Sequence, residues 1–133
     1  MHGATPVILQ LLGGSVLLLV VYIIAQGGFE MPQRGMLWNA GPRDGWQPPA
    51  GRFAGRARRA LANFQETYPA FIALALALAL VGKSEGAGAL GAWVWLGARI
   101  AYLPLYLLGV PWLRSIAYGA SLAGLAMMLT ALI

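Results

Sequence analysis

The chain of 133 residues contains no cysteine, which removes disulfides, thiolate metal sites and a cysteine nucleophile. Its one histidine is His2, so a zinc or haem site built on imidazole has no set of ligands to draw on. Charge is scarce as well. Only 10% of the residues are charged, where a soluble domain carries roughly 25%. Hydrophobic residues make up 59% of the chain. A soluble domain of this length has too little interior to hide that much apolar surface, and lipid is the solvent that suits the excess. The length fits one domain. The net charge of +5 comes mostly from arginines in one stretch between apolar segments. That pattern fits a membrane edge and argues against a nucleic-acid surface.

The apolar segments read as helices. The first, Val7 to Ala25, is interrupted only by Gln10, Gly13, Gly14 and Ser15. At about 1.5 Å per residue it can cross a hydrocarbon core roughly 30 Å thick. A signal peptide is the rival reading, disfavoured by the lack of a basic start and of a small-x-small cleavage site. Residues 27–55 differ in kind. They hold Pro32, Pro42, Pro48, Pro49 and several glycines together with Arg34, Arg43, Asp44 and Arg52, a density of helix breakers that predicts a polar loop. Long loops of this sort are often functional. The fold expected is an all-α integral membrane protein, a four-transmembrane-helix bundle with helices near residues 6–26, 56–82, 88–108 and 111–132. Pro111 suits the first position of the last helix. Arginines crowd the first loop and its helix edge, Arg114 follows the third connection, and Lys83 is offset by Glu85 in the second turn. The positive-inside rule then sets loops one and three in the cytoplasm and both termini outside. Trp93, Trp95 and Trp112 lie near helix ends, where indole rings favour the interface.

Polar chemistry concentrates at the start of the second helix. Arg56, Arg59, Asn63 and Glu66 follow one another at spacings of three, four and three, which puts them on one helical face. Such a stripe is costly against lipid and usually faces a bundle interior, where it marks a site. The structural alternative is that Glu66 neutralises Arg59 or Arg99 and pins helices together. A second stripe runs through Arg99, Tyr102 and Tyr106 and resumes with Arg114, Ser115 and Tyr118. Tyrosines in membrane helices are more often interface anchors than ligand-binding groups. Arg114 is different. It falls in the first turn of a helix, where the dipole disfavours a cation, a placement that makes sense if an anion comes to meet it beside free backbone N–H groups.

The run Arg56-Ala57-Arg58-Arg59-Ala60-Leu61-Ala62-Asn63-Phe64-Gln65-Glu66 resembles the R-x-x-R-A-x-x-N-x-x-E signature of the MAPEG family, the membrane-associated proteins of eicosanoid and glutathione metabolism. Thr67-Tyr68-Pro69 continues the likeness, as do Arg99-Ile100-Ala101-Tyr102, Tyr106, Pro111, Arg114 and Ser115. The resemblance implies a homotrimer of four-helix subunits with glutathione as co-substrate between neighbours, and no metal. It implies that Arg59, Asn63 and Glu66 hold the glutathione peptide, that Tyr102, Tyr106 and Ser115 contact it, and that Arg114 is the catalytic residue stabilising its thiolate. Arg34 aligns near a family arginine at the end of helix one. Where family members often carry an acidic residue before the signature, this chain has Gly55. The stretch Trp38 to Asp44 is similar to bacterial members, which implies a bacterial inner membrane. Chemistry fits these roles. Guanidinium groups grip carboxylates bidentately, and Glu66 can accept from an amino group. Arginine stays protonated and cannot act as a base, so Arg114 would act electrostatically on the thiol. The other partner expected is a lipophilic small molecule arriving through the membrane lipids. The function implied is a glutathione-dependent transferase or peroxidase attacking a lipophilic electrophile. The competing reading is a non-catalytic lipid-binding or structural membrane protein of the same fold. Ala60 and Ala70 are small enough for close helix approach between subunits.

Overall fold

In a computed structural model, residues 3–34, 41–42 and 51–133 are described, with the side chains of 32–34 excepted. His2, and Trp38, Arg43 and Asp44 of the loop, lie outside the described residues. The described residues form helices α1 (Val7–Arg34), α2 (Arg52–Leu80), α3 (Ala87–Leu107) and α4 (Pro111–Leu132). Three of them, over Val7–Met31, Ala87–Leu107 and Pro111–Leu132, are long and apolar enough to cross a membrane. On length and composition α2 does not join them: beyond its arginine-rich start, Asn63, Gln65, Glu66 and Thr67 still interrupt the stretch that ends in the apolar run Ala70–Leu80.

The first loop is shorter than the sequence predicts. Helix α1 continues past the end expected near residue 26, through Gly27, Gly28 and Pro32, and α2 begins at Arg52. A glycine in a helix costs only about 1 kcal/mol relative to alanine, and contacts made further along the chain outweigh it. Glu30, fully buried, forms an ion pair with Arg58 of α2. Phe29 stacks on Phe53 at 5.6 Å between ring centroids. Both pairs fasten the last turns of α1 to the first turns of α2.

Successive helices run antiparallel. Ser15 meets the Tyr68 hydroxyl at 2.8 Å, while Glu30, later in α1, meets Arg58, earlier in α2. Likewise Trp95 stacks on Phe71 and Arg99 reaches back to Asn63. Helices α2 and α3 form the middle of the bundle, each packed against both α1 and α4; α1 and α4 do not pack on each other. The centre is aromatic. Tyr22 lies 4.7 Å from Phe64, and Trp95 sits 4.0 Å from Phe71 with the planes 13° apart.

Helices α3 and α4 cross at two glycines. A Cβ on Gly91 would stand 2.6 Å from the Gly124 carbonyl oxygen, and one on Gly124 would stand 2.6 Å from the Gly91 oxygen and 2.7 Å from the Trp95 nitrogen. Those neighbours are backbone and cannot turn away. Where lipid competes equally for apolar side chains, close backbone approach of this kind is what favours association. Alanine at Gly91 or Gly124 must therefore push the helices apart, at a cost of about 1–3 kcal/mol. A Cβ at Gly97 of the same helix meets nothing within 4 Å, so Gly97→Ala should leave stability unchanged or raise it. Denaturant unfolding in detergent separates the cases, and Gly91→Ala or Gly124→Ala variants as stable as the parent would contradict the tight crossing.

Candidate functional site

The site is built on a buried guanidinium. Arg99 of α3 is 0% exposed. Its Nη1 donates to Asn63 Oδ1 at 2.6 Å and its Nη2 to Thr67 Oγ1 at 2.8 Å. Asn63 and Thr67 are one helical turn apart on α2, so a single face of that helix receives both donors. The rings of Tyr102, Tyr118, Phe64 and Trp95 surround the charge, with centroids 5.1, 5.6, 5.8 and 6.0 Å from Cζ. Tyr22 of α1 donates to the Arg99 carbonyl at 2.7 Å. All four helices thus meet around this residue. The structural alternative, neutralisation of Arg99 or Arg59 by Glu66, does not occur: Glu66 is exposed, and among the described residues the one ion pair is Arg58 with Glu30. Glu66 sits three residues beyond Asn63 and lies away from Arg99, so hydrogen bonds and ring faces replace the carboxylate.

One turn along α3 from Arg99, a cavity of about 260 Å³ opens between α2, α3 and α4, lined by Asn63, Tyr102, Tyr106, Arg114, Ser115 and Tyr118. Arginine has donors only, so Asn63 must turn its oxygen toward Arg99, which leaves its amide N–H groups for a ligand. Tyr106 is where two cations converge. The Arg114 guanidinium lies over its ring at 4.7 Å, and Arg59 Nε donates to its hydroxyl at 3.1 Å. Having accepted from Arg59, the Tyr106 hydroxyl keeps its own proton to give. No carboxylate among the described residues stands within 4.0 Å of Arg59 or Arg114. Ser115 returns its hydroxyl to the Pro111 carbonyl at 3.0 Å, leaving its oxygen as an acceptor. The arrangement offers amide and phenol donors and two cations without a counterion among the described residues, the chemistry that receives an anionic, polar ligand.

Of the residues singled out in the sequence, Asn63, Tyr102, Tyr106, Arg114 and Ser115 line this cavity and Arg59 abuts it through Tyr106. Glu66 lies outside the lining. Arg34 ends α1, and its side chain is outside the described residues. Tyr118 belongs to the lining although only its spacing, four residues after Arg114, signalled it. Thr67 as a partner of Arg99 carried no signal, because threonine in a helix usually bonds its own preceding turn.

No curated protein and no solved structure gives a match to the chain. The MAPEG family model matches residues 8–133. That match takes in every element that builds the cavity: the polar turns of α2, the Arg99–Tyr106 face of α3 and the start of α4. The chain belongs to the MAPEG family.

Proposed function

We propose that this protein is a glutathione-dependent membrane enzyme, a transferase or peroxidase that attacks a lipophilic electrophile with the glutathione thiolate. Membership in a family of membrane proteins of glutathione and lipid metabolism supports the general class. The observation that carries the specific reading is the pair of cations, Arg59 and Arg114, gathered on Tyr106 at the mouth of a cavity without a carboxylate. Glutathione brings carboxylates for the guanidinium and amide donors, and a thiol that must lose its proton before it reacts. Arg114 would stabilise the resulting thiolate, while Tyr106 donates to it or to a leaving oxygen. The apolar outer faces of α3 and α4 leave the membrane lipids as the route for the second substrate.

The assembly we propose is a homotrimer. A cavity of about 260 Å³ falls short of the roughly 300–1,000 Å³ of small-molecule sites, so a second wall from a neighbouring subunit would complete it. Exposed Glu66 and Arg59, on one face of α2, would then face that neighbour and the ligand between them. All four helices span the membrane in this reading: α2 runs antiparallel to both α1 and α3 and carries the chain back between them. The arginine-rich end lies in the cytoplasm, with both termini outside, in a bacterial inner membrane.

Native mass measurement in detergent should return three chains; a stable monomer that still binds glutathione would overturn the shared site. Titration with glutathione and turnover of an activated aryl halide test the chemistry. Arg59→Ala and Glu66→Ala each remove a charge-assisted hydrogen bond worth roughly 1.5–3 kcal/mol and should weaken binding by about tenfold or more. Arg114→Ala should leave binding largely intact and lower kcat by on the order of 10²–10³. A parent protein that binds no glutathione, or an Arg114→Ala variant with undiminished kcat, would contradict the proposal.

A further inference from the structure

Arg56 shares the polar face of α2 but does not line the cavity. Its Nη1 donates to the carbonyl of Leu107, the last residue of α3, at 2.9 Å. The end of α3 is otherwise closed by its own backbone. Gly109 N–H bonds to the Tyr106 carbonyl at 3.1 Å and Val110 N–H to that of Leu105 at 3.1 Å, the paired bonds of a Schellman turn, with Gly109 at φ +71°. That motif leaves the Leu107 carbonyl without a backbone donor, and Arg56 supplies one from another helix. The fit is close. A Cβ on Gly109 would stand 2.8 Å from Arg56 Nη2, 2.9 Å from Cζ and 3.0 Å from Nη1. Glycine is needed there for its backbone conformation, and the guanidinium tip packs directly against it.

The turn leads directly to the site. Val110 precedes Pro111 at the first position of α4, and the Arg114 N–H makes its helical bond to the Val110 carbonyl at 3.2 Å. One turn along α2 from Arg56, Arg59 holds the Tyr106 hydroxyl. A single segment of α2 thus fastens both the phenol on which Arg114 rests and the turn from which Arg114 departs. We infer that Arg56 is a positioning residue: by holding the Leu107–Gly109 turn against α2 it fixes where Arg114 stands relative to Tyr106 and Asn63. Its consequence for chemistry rests on the glutathione reading; its consequence for the turn does not.

Hydrogen exchange of the full chain in detergent tests the turn without any ligand. Loss of a charge-assisted bond should raise exchange at the Gly109, Val110 and Arg114 amides by about tenfold or more in Arg56→Ala. The amides of Ala117 to Met128 should stay as protected as in the parent. Arg56→Lys, which keeps a donor, should restore part of the protection. With glutathione and an activated aryl halide, Arg56→Ala should lower kcat by up to about 10²-fold through misplacement of Arg114, with KM for glutathione changed by less than about twofold because no cavity-lining group is lost. Unchanged exchange at Gly109 and Arg114 in Arg56→Ala overturns the inference whatever the enzyme does with glutathione. A loosened turn with unchanged kcat overturns the positioning role. A parent that never turns over glutathione overturns the proposed function, and the exchange at Arg114 then decides the inference alone.

Discussion

A guanidinium buried in an apolar bundle has to be given partners, and this fold gives Arg99 partners from every helix. Its Nη1 and Nη2 donate to Asn63 and Thr67 of α2, the ring faces of Phe64, Trp95, Tyr102 and Tyr118 surround its charge, and Tyr22 of α1 donates to its backbone carbonyl, while its buried Nε has no hydrogen-bond partner among the described residues. None of these partners is a carboxylate. A neutral cage leaves the positive charge uncancelled, so its field extends to the nearby cavity, where two of the caging tyrosines form part of the wall. The same contacts fix which way Asn63 faces, because a group that only donates can be met only by the amide oxygen.

The cavity inherits its character from that arrangement. Below it lies a buried cation; at its mouth Arg59 and Arg114 meet on one phenol. Three positive groups around a small polar space, in a chain with 4 acidic residues and 9 basic ones, make the space suited to an anion and costly to leave to apolar solvent. The outer surface is the opposite. Trp112 is 81% exposed and Leu108 70% exposed at the same end of the bundle, which suits the boundary between headgroups and acyl chains. The polar cavity and an exposed apolar surface are thus separated by little more than the start of α4, the geometry that the proposed meeting of a water-soluble thiol with a lipid-soluble electrophile would need.

Much of this was legible in the chain. Apolar runs mark the helices, the spacing of Arg59 and Asn63 gives one face of α2, and the odd placement of Arg114 in a first helical turn singles out a residue that lines the cavity. What escaped depends on contacts between distant residues. The extension of α1 to Arg34 is held by Glu30 with Arg58 and Phe29 with Phe53, and no local pattern of glycine and proline reveals such pairs. The partners of Arg99 were hidden because Glu66 is the carboxylate that composition offers, while the turn of α2 brings Asn63 and Thr67 instead. The crossing at Gly91 and Gly124 is one of many glycine positions in an 18-glycine sequence, and only the packing of α3 on α4 singles it out.

In the proposed enzyme, the positive charge of Arg114, backed by Arg99, converts a bound thiol to its thiolate. Ultraviolet absorbance of the thiolate, followed against pH with glutathione bound to the purified protein, tests it most directly. A nearby cation stabilises the charged form and must move deprotonation to lower pH than for free glutathione. That downward shift is expected in the parent and should be lost in Arg114→Ala. A bound glutathione that titrates like the free thiol would contradict a role of Arg114 in thiolate formation and leave a protein that holds its ligand without activating it.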